Sequence, residues 1–533
     1  MSNIREITLN ILMEYDRDGV RKPSLLKDSL AKYDYMDTRD KAFMKRVVDG
    51  CIERQIQLDY ILNSFSKTRT EKMQPFIRSL LRMSAYQIMF MDAVPDSAAC
   101  NEAVKLAQKH KFAGLKGFVN GVLRNVARNK DKIEYPDRSL NGGIDYLSVV
   151  YSMPDWICRM WTETYGFDRT EEMLKAFLLP RPTVVRLSTC KVMTGEILTS
   201  GNHDISIVTD KSIVTDKSKV TGKSTGTDKG TGTDTDTEAD IAAGTATEDG
   251  LQTLDDYISE LESAGAIVKR SNILPYALEL EKTDNIRFLP GFDEGKFFVQ
   301  DVSSMLVTEI ADPRPGQIVI DVCAAPGGKS LHAAERIENG TVLSRDVSER
   351  KCDLIRENAE RMGLPNVRVE LHDARVHDKE LENSADVLYM DLPCSGLGIV
   401  GRKNDIKYNV TKKSLSELSK LQWEIIKTAW DYVKPGGILM YSTCTVNRAE
   451  NEDMVARICK ELPFETVDFS KELPGALKAC DNDPDLKAQD GHAAKCRDLE
   501  AQAGKGFIQL LPGEYGTDGF FIAKLRRTPA GQS

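Results

Sequence analysis

Apolar residues recur at helical spacing through the first 140 positions. Leu9, Leu12 and Met13 share one face, as do Phe43, Val47, Val48 and Cys51, and Ile77, Leu80, Leu81, Ala85 and Ile88 form a further stripe. Val94-Pro95-Asp96-Ser97 interrupts the pattern and is expected to cap a helix over 98–108; another helical run, Phe118 to Val126, follows Gly117. This stretch reads as all-α. Between 141 and 295 the pattern is mixed. Trp156, Ile157, Met160 and Trp161 predict a helix starting near Pro154, Thr183–Leu187 a strand, 251–264 a helix, and 266–270 and 276–280 two more strands, together a small α+β unit. From 296 to 533 short apolar runs alternate with helical stripes. Strands are expected at 318–320, 341–343, 367–371, 385–390 and 437–441. Helices are expected from Ser330, over 348–362 and over about 414–433, the last ended by Pro435-Gly436-Gly437. Such alternation predicts a doubly wound α/β sheet with its ligand at the carboxyl ends of the strands.

One segment fits none of these patterns. IVTDKS occurs at 207–212 and again at 213–218, and residues 201–250 are dominated by Thr, Asp, Lys, Gly and Ser without one aromatic. So little apolar surface cannot offset ordering entropy, so a disordered insertion in the middle unit is expected. The 533 residues thus divide into 1–140, 141–295 and 296–533, three domains and one insertion.

The net charge of −9 speaks against a nucleic-acid partner until it is counted locally. Residues 1–145 carry 25 Lys or Arg against 19 Asp or Glu, whereas 201–250 carry five lysines and ten acids. Within 101–130, seven basic residues face a single acid, Glu102, which suits phosphate contact. No apolar run approaches the roughly 20 residues of a membrane helix, and acids interrupt the N-terminal apolar stretch, so neither a membrane segment nor a secretory signal is expected. The eleven cysteines are scattered without a CxxC pair. That excludes a zinc ribbon and predicts a reduced, cytoplasmic protein without a metal site.

The candidate chemistry lies at the strand ends of the C-terminal domain. After the first strand comes Asp321-Val322-Cys323-Ala324-Ala325-Pro326-Gly327-Gly328-Lys329-Ser330. A Walker phosphate loop would end like Gly328-Lys329-Ser330 but needs glycine at 323, and no GxGxxG is present. What remains is a small-residue loop that a ligand can approach closely, with Asp321 before it. Asp346 follows the second strand, where a carboxylate commonly grips a ribose diol, and Asp373 follows the third. Acids at successive strand ends repel a triphosphate and suit a nucleoside cofactor with a positive centre, such as S-adenosylmethionine. The fourth and fifth strands end in Asp391-Leu392-Pro393-Cys394-Ser395-Gly396-Leu397-Gly398 and Tyr441-Ser442-Thr443-Cys444-Thr445. Two thiols beside a methyl donor suggest covalent catalysis on cytosine carbon 5, with Asp391 at the pyrimidine edge. Spacing alone leaves open which thiol attacks.

The chain resembles the NOL/NOP/Sun family of RNA cytosine-5 methyltransferases. DVCAAPGGKS at 321–330, DLPCSGLG at 391–398, DIKY at 405–408, YSTCTVNRAENE at 441–452, FVQDVSSML at 298–306 and DGFFIAKL at 518–525 carry the likeness. RDKAFMKRVVDGCI at 39–52 and GFVNGVLRNVARN at 117–129 resemble a NusB-type RNA-binding domain. The resemblance implies an all-α NusB-like domain, a small α+β RNA-binding domain and a Rossmann-like methyltransferase domain. It also implies 16S ribosomal RNA as partner, met before full subunit assembly, and a monomeric enzyme. It makes Cys444 the nucleophile and Cys394 the residue that assists product release. Residues Cys323, Ala324, Ala325, Pro326, Gly327, Gly328 and Lys329 would line the S-adenosylmethionine site, with Lys329 on the cofactor's carboxylate. Asp346 would hold the ribose, Asp373 would lie near the adenine, and Asp391 would stand between methyl donor and base. Two local elements depart from the family pattern: Gly401-Arg402-Lys403-Asn404 stands where Arg-Arg-His-Pro is common, and Asp373-Ala374-Arg375 replaces Asp-Gly-Arg. A transfer-RNA methyltransferase and a non-catalytic RNA-binding factor are the competing readings.

Overall fold

The computed structural model describes residues 4–16, 32–33, 36–193, 252–283, 285–478 and 490–529. The low-complexity stretch 201–250 lies outside them. The N-terminal helices are α1 (Ile4–Tyr15), α2 (Thr38–Glu53), α3 (Gln55–Phe65), α4 (Pro75–Phe90), α5 (Asp96–Lys109) and α6 (Lys116–Asn129). Their apolar stripes converge on one core in which Leu9, Val47, Val48, Leu58, Leu80 and Leu123 are fully buried. The α5 start differs in detail from the expected cap. Asp96 is already the first helical residue, makes no capping bond and pairs instead with Lys130 at 3.3 Å.

Helices α7 (Ile144–Val150), α8 (Asp155–Tyr165) and α9 (Phe167–Phe177) follow. They lead into a four-stranded antiparallel sheet of β1 (Thr183–Leu187), β2 (Ile267–Arg270), β3 (Ala277–Glu281) and β4 (Phe297–Val299), ordered β2-β3-β1-β4. Helix α10 (Leu254–Ser263) packs on it. Strand β4 lies just past residue 295, where the composition changes, yet it ladders with β1 of the middle sheet.

The C-terminal sheet contains β5 (Ile318–Asp321), β6 (Thr341–Asp346), β7 (Val367–Leu371), β8 (Ala385–Asp391), β9 (Val433–Thr443), β10 (Phe464–Thr466), β11 (Phe507–Leu510) and β12 (Phe520–Arg527). Its order is β10-β12-β9-β8-β5-β6-β7, with β11 also on β12. Strands β5 to β9 are parallel, and β12 runs antiparallel to β9, β10 and β11. The chain reverses direction of winding between β5 and β8, and a crevice opens there. Helices α11 (Val302–Ala311), α12 (Gly328–Arg336), α13 (Glu349–Met362), α14 (Lys412–Ala429), α15 (Glu452–Glu461) and α16 (Asp490–Ala503) complete the domain. Helix α14 ends at Ala429, earlier than expected. Pro435-Gly436-Gly437 sits inside β9, where pairing jumps from Ala385–Val433 to Val387–Ile438. The register irregularity there, with Gly436 at φ +82°, accommodates the proline and glycines. Among the described residues no helix is long and apolar enough to cross a membrane.

Candidate active site

The loop after β5 is held by its own backbone. The Ala324 amide donates to the Arg345 carbonyl at 2.9 Å, Ala325 N to Asp346 Oδ2 at 3.3 Å, and Cys323 N to Asp321 Oδ1 at 3.3 Å. Gly327, at φ +107°, turns the chain into α12, which therefore starts at Gly328 rather than Ser330. Asp321 is 1% exposed, accepts from Ser330 Oγ at 2.7 Å, and is pushed up to about 6 by burial. Burial and the neighbouring acids also push the Cys323 thiol well up. Asp346 is 3% exposed; its Oδ1 accepts no hydrogen bond, and Lys351 Nζ lies 3.2 Å from it.

The loop borders a cleft of about 220 Å³ lined by Asp321, Cys323, Ala324, Ala325, Pro326, Gly328, Lys329 and Asp391 together with Phe298, Val299, Gln300, Asp301 and Ser304; Gly327 and Asp346 do not line it. Lys329 is no solvated lysine. It is 9% exposed, lies over the Phe520 ring at 5.2 Å, and donates to Asp391 Oδ2 at 2.7 Å. Asp391 Oδ1 accepts from Ser442 Oγ at 2.8 Å, which joins the ends of β8 and β9. Asp373 stands outside this cleft. Arg375 chelates it, Nη2 to Oδ2 at 2.7 Å, and holds its carboxyl down at about 2.

Beyond Asp391 and Ser442 the two cysteine loops meet. Cys394 Sγ and Cys444 Sγ are 3.3 Å apart and half-buried. Contact with Cys444, then burial, pushes the Cys394 thiol well above its ordinary range. Under the thiols lies Glu450, fully buried between β9 and α15. Its carboxylate accepts from Ser395 N at 2.9 Å, Ser395 Oγ at 2.6 Å, Asn447 Nδ2 at 2.8 Å and Gln422 Nε2 at 3.2 Å. Ser395 Oγ also meets Thr445 Oγ1 at 2.7 Å, so one carboxylate ties the residue after Cys394 to the residue after Cys444. Gly398 closes the arrangement. Its amide donates to the Cys444 carbonyl at 3.1 Å, and a Cβ there would stand 2.0 Å from the Gly519 oxygen.

Sequence reasoning gave no role to Glu450 or Gln422, and it marked the far cleft wall only as the motif FVQDVSSML at 298–306. Gln422 had a readable signal, a polar residue in the buried stripe of α14 between Leu415 and Ile425. The basic run at 101–130 is also partly spent within the molecule. Lys105 pairs with Glu102, Lys109 with Glu6 and Lys130 with Asp96, which leaves Lys111, Lys116, Arg124 and Arg128 exposed and outside any described ion pair.

Residues 308–526 match the family model described as 16S rRNA methyltransferase RsmB/F, and residues 2–128 match that of the NusB family. Over 99% of both chains the sequence is 30% identical to a probable ribosomal RNA small subunit methyltransferase B of Bacillus subtilis (strain 168). The chain belongs to the RsmB/F family of 16S rRNA methyltransferases. The ribosomal RNA small subunit methyltransferase B of Vibrio cholerae is 26% identical over 92% of this chain and 90% of that one. The solved structure of PH0851 superposes on 99% of each chain with a TM-score of 0.67 at 20% identity, so the likeness extends to the whole fold. For the RsmB/F family member described here, both matched segments coincide with the helical domain and the C-terminal mixed sheet.

Proposed function

We infer that this chain methylates carbon 5 of a cytosine in 16S ribosomal RNA, with S-adenosylmethionine as methyl donor and a covalent Cys444 adduct on the path. The observation that carries the reading is the pair of thiols 3.3 Å apart, at the ends of adjacent parallel strands, next to a cleft floored by Lys329 and Asp391. The cleft fits the cofactor. Small residues from Cys323 to Gly328 leave room against the backbone, and the buried Asp346 carboxylate, ion-paired with Lys351, suits a ribose hydroxyl. Lys329 and Asp391 stand at the cleft's inner end, and Asp373, engaged with Arg375, takes the peripheral place toward the adenine. S-adenosylmethionine supplies there an electrophilic methyl group on a sulfonium.

The protein's part is nucleophilic catalysis. Carbon 5 of cytosine is a weak nucleophile until carbon 6 is attacked. The Cys444 thiolate bonds to carbon 6, the π pair of the carbon 5–carbon 6 bond becomes available at carbon 5, and carbon 5 takes the methyl group, leaving the donor as a neutral thioether. The proton on carbon 5 then leaves to a base at the site, and the C–S bond breaks to restore the aromatic ring and the thiolate. Contact with the Cys444 sulfur, then burial, holds the Cys394 thiol well above its ordinary range, so Cys394 stays a thiol. Cys394 lies beside the carbon-6 position and assists release. Asp391, fixed by Lys329 and Ser442, holds the pyrimidine edge as charge develops. The target base must leave its stack, so a loop or single-stranded site in RNA is expected.

The test is methyl transfer from labelled S-adenosylmethionine to isolated small-subunit RNA and, in parallel, to transfer RNA, followed by nucleoside digestion. Label in 5-methylcytidine from the small-subunit RNA supports the reading. Label in another nucleoside, or in transfer RNA alone, overturns it.

A further inference from the structure

The segment that follows the Cys394 loop ends in Asp405-Ile406-Lys407-Tyr408, and three consecutive side chains of it reach three different places. Ile406 Cδ1 packs against Gly396 of the cysteine loop, 3.0 Å from where a Cβ would stand, on a glycine at φ +69°. Lys407 points the other way. It is 2% exposed, and its Nζ donates to the Glu53 carbonyl at 2.7 Å. Glu53 is the last residue of α2, where carbonyls lack helical partners and the helix dipole favours a cation. Tyr408 packs against the core of the helical domain, under Lys407 Nζ at 5.2 Å from the ring centroid. Its hydroxyl lies 3.4 Å from Ser152 Oγ, which accepts the Ile56 amide at 2.9 Å at the start of α3. The segment thus plugs the junction between α2 and α3, with its cation at the carboxyl end of one helix and its phenol against Ser152, whose hydroxyl accepts at the amide end of the next.

We propose that Ile406, Lys407 and Tyr408 form a latch that sets the helical domain in register with the Cys394 loop, so that RNA gripped by the helices is presented to the thiols. Lys407 is a positioning residue in this arrangement. A buried ammonium facing a helix end tolerates no apolar replacement without leaving the Glu53 carbonyl unpaired. The latch rests on the reading above only in placing RNA at the cysteines; its contacts join the two domains whatever the base.

The test compares the full chain with Lys407→Met and Lys407→Arg. Binding of small-subunit ribosomal RNA, binding of S-adenosylmethionine and backbone hydrogen exchange in 391–398 are measured for each. Lys407→Met is expected to weaken RNA binding about tenfold and to speed exchange in 391–398 by at least tenfold, with cofactor affinity within about twofold and Lys407→Arg restoring most of both losses. Unchanged RNA binding and exchange in Lys407→Met overturn the latch, and so does a parallel loss of cofactor affinity, which marks general damage to the sheet. Should Lys407→Met not fold, Tyr408→Ala carries the same comparison. Because binding and exchange are read without turnover, a chain that transfers no methyl to cytosine overturns the functional reading and still tests the latch.

Discussion

The helical domain and the carboxyl edge of the C-terminal sheet are built on opposite principles. Inside the first, apolar side chains dominate, and the buried polar ones are scattered, with Thr8, Ser84 and Gln87 each bonded to a carbonyl one turn back in its own helix. Along the second, Asp321, Lys329, Asp346, Glu450, Asn451 and Ser442 are buried together within one strand-end layer. Apolar packing is forgiving of composition as long as volume and pattern are kept. A buried polar layer is not, because each unpaired donor or acceptor costs free energy on its own. The helical domain can therefore change its outer face freely to suit an RNA, while the strand edge is fixed residue by residue.

The largest contrast is expected between the two thiols. Cys444→Ala should lower methyl transfer by roughly a thousandfold or more, whereas Cys394→Ala should trap a covalent RNA–protein adduct visible on a denaturing gel. Full activity of Cys444→Ala would remove the nucleophile from the scheme. Next in size, Glu450→Ala leaves the Ser395 amide and Asn447 Nδ2 without an acceptor, while Ser395 Oγ keeps Thr445 Oγ1 and Gln422 Nε2 keeps the Pro393 carbonyl. A stability loss of about 3 kcal/mol with a fall in turnover is expected. An unchanged melting temperature would mean that water replaces the carboxylate and that the polar layer is as forgiving as the helical core.

Asp321 gives a smaller, pH-dependent effect. Its carboxyl is held up at about 6, so the folded chain keeps a proton that the unfolded chain releases near 3.8. Stability from this group is full below about pH 4 and is lost as pH rises through 6. Asp321→Asn should flatten the melting profile between pH 4 and 7 by on the order of 2 kcal/mol; parallel profiles for the two chains would exclude this titration. Smallest is the helical surface. Lys116→Gln should weaken RNA binding slightly and reduce the slope of log affinity against log salt by about 0.7–0.9, provided the lysine meets a phosphate. An unchanged slope would move the RNA path away from α6.

Legibility follows the same division. Strand β1 coincides with the expected Thr183–Leu187, and the helical stripes coincide with buried faces, because periodicity is local. The small-residue loop and both cysteines were also legible, as motifs at strand ends. No role was read for Glu450, Gln422 or Lys407, since each acts on a partner 28 to 354 positions away; Gln422 left a trace only as a break in an apolar stripe, and the other two only as members of motifs. The pairing of Lys109 with Glu6 escaped for the same reason and reduces the free charge of a helix that looked uniformly basic.

Strand β4 serves two masters, as an edge of the middle sheet and, through Phe298 and Val299, as a wall of the cleft beside Lys329 and Asp391. A rotation of the middle sheet about its join with the C-terminal domain would drag that wall with it and reshape the cleft.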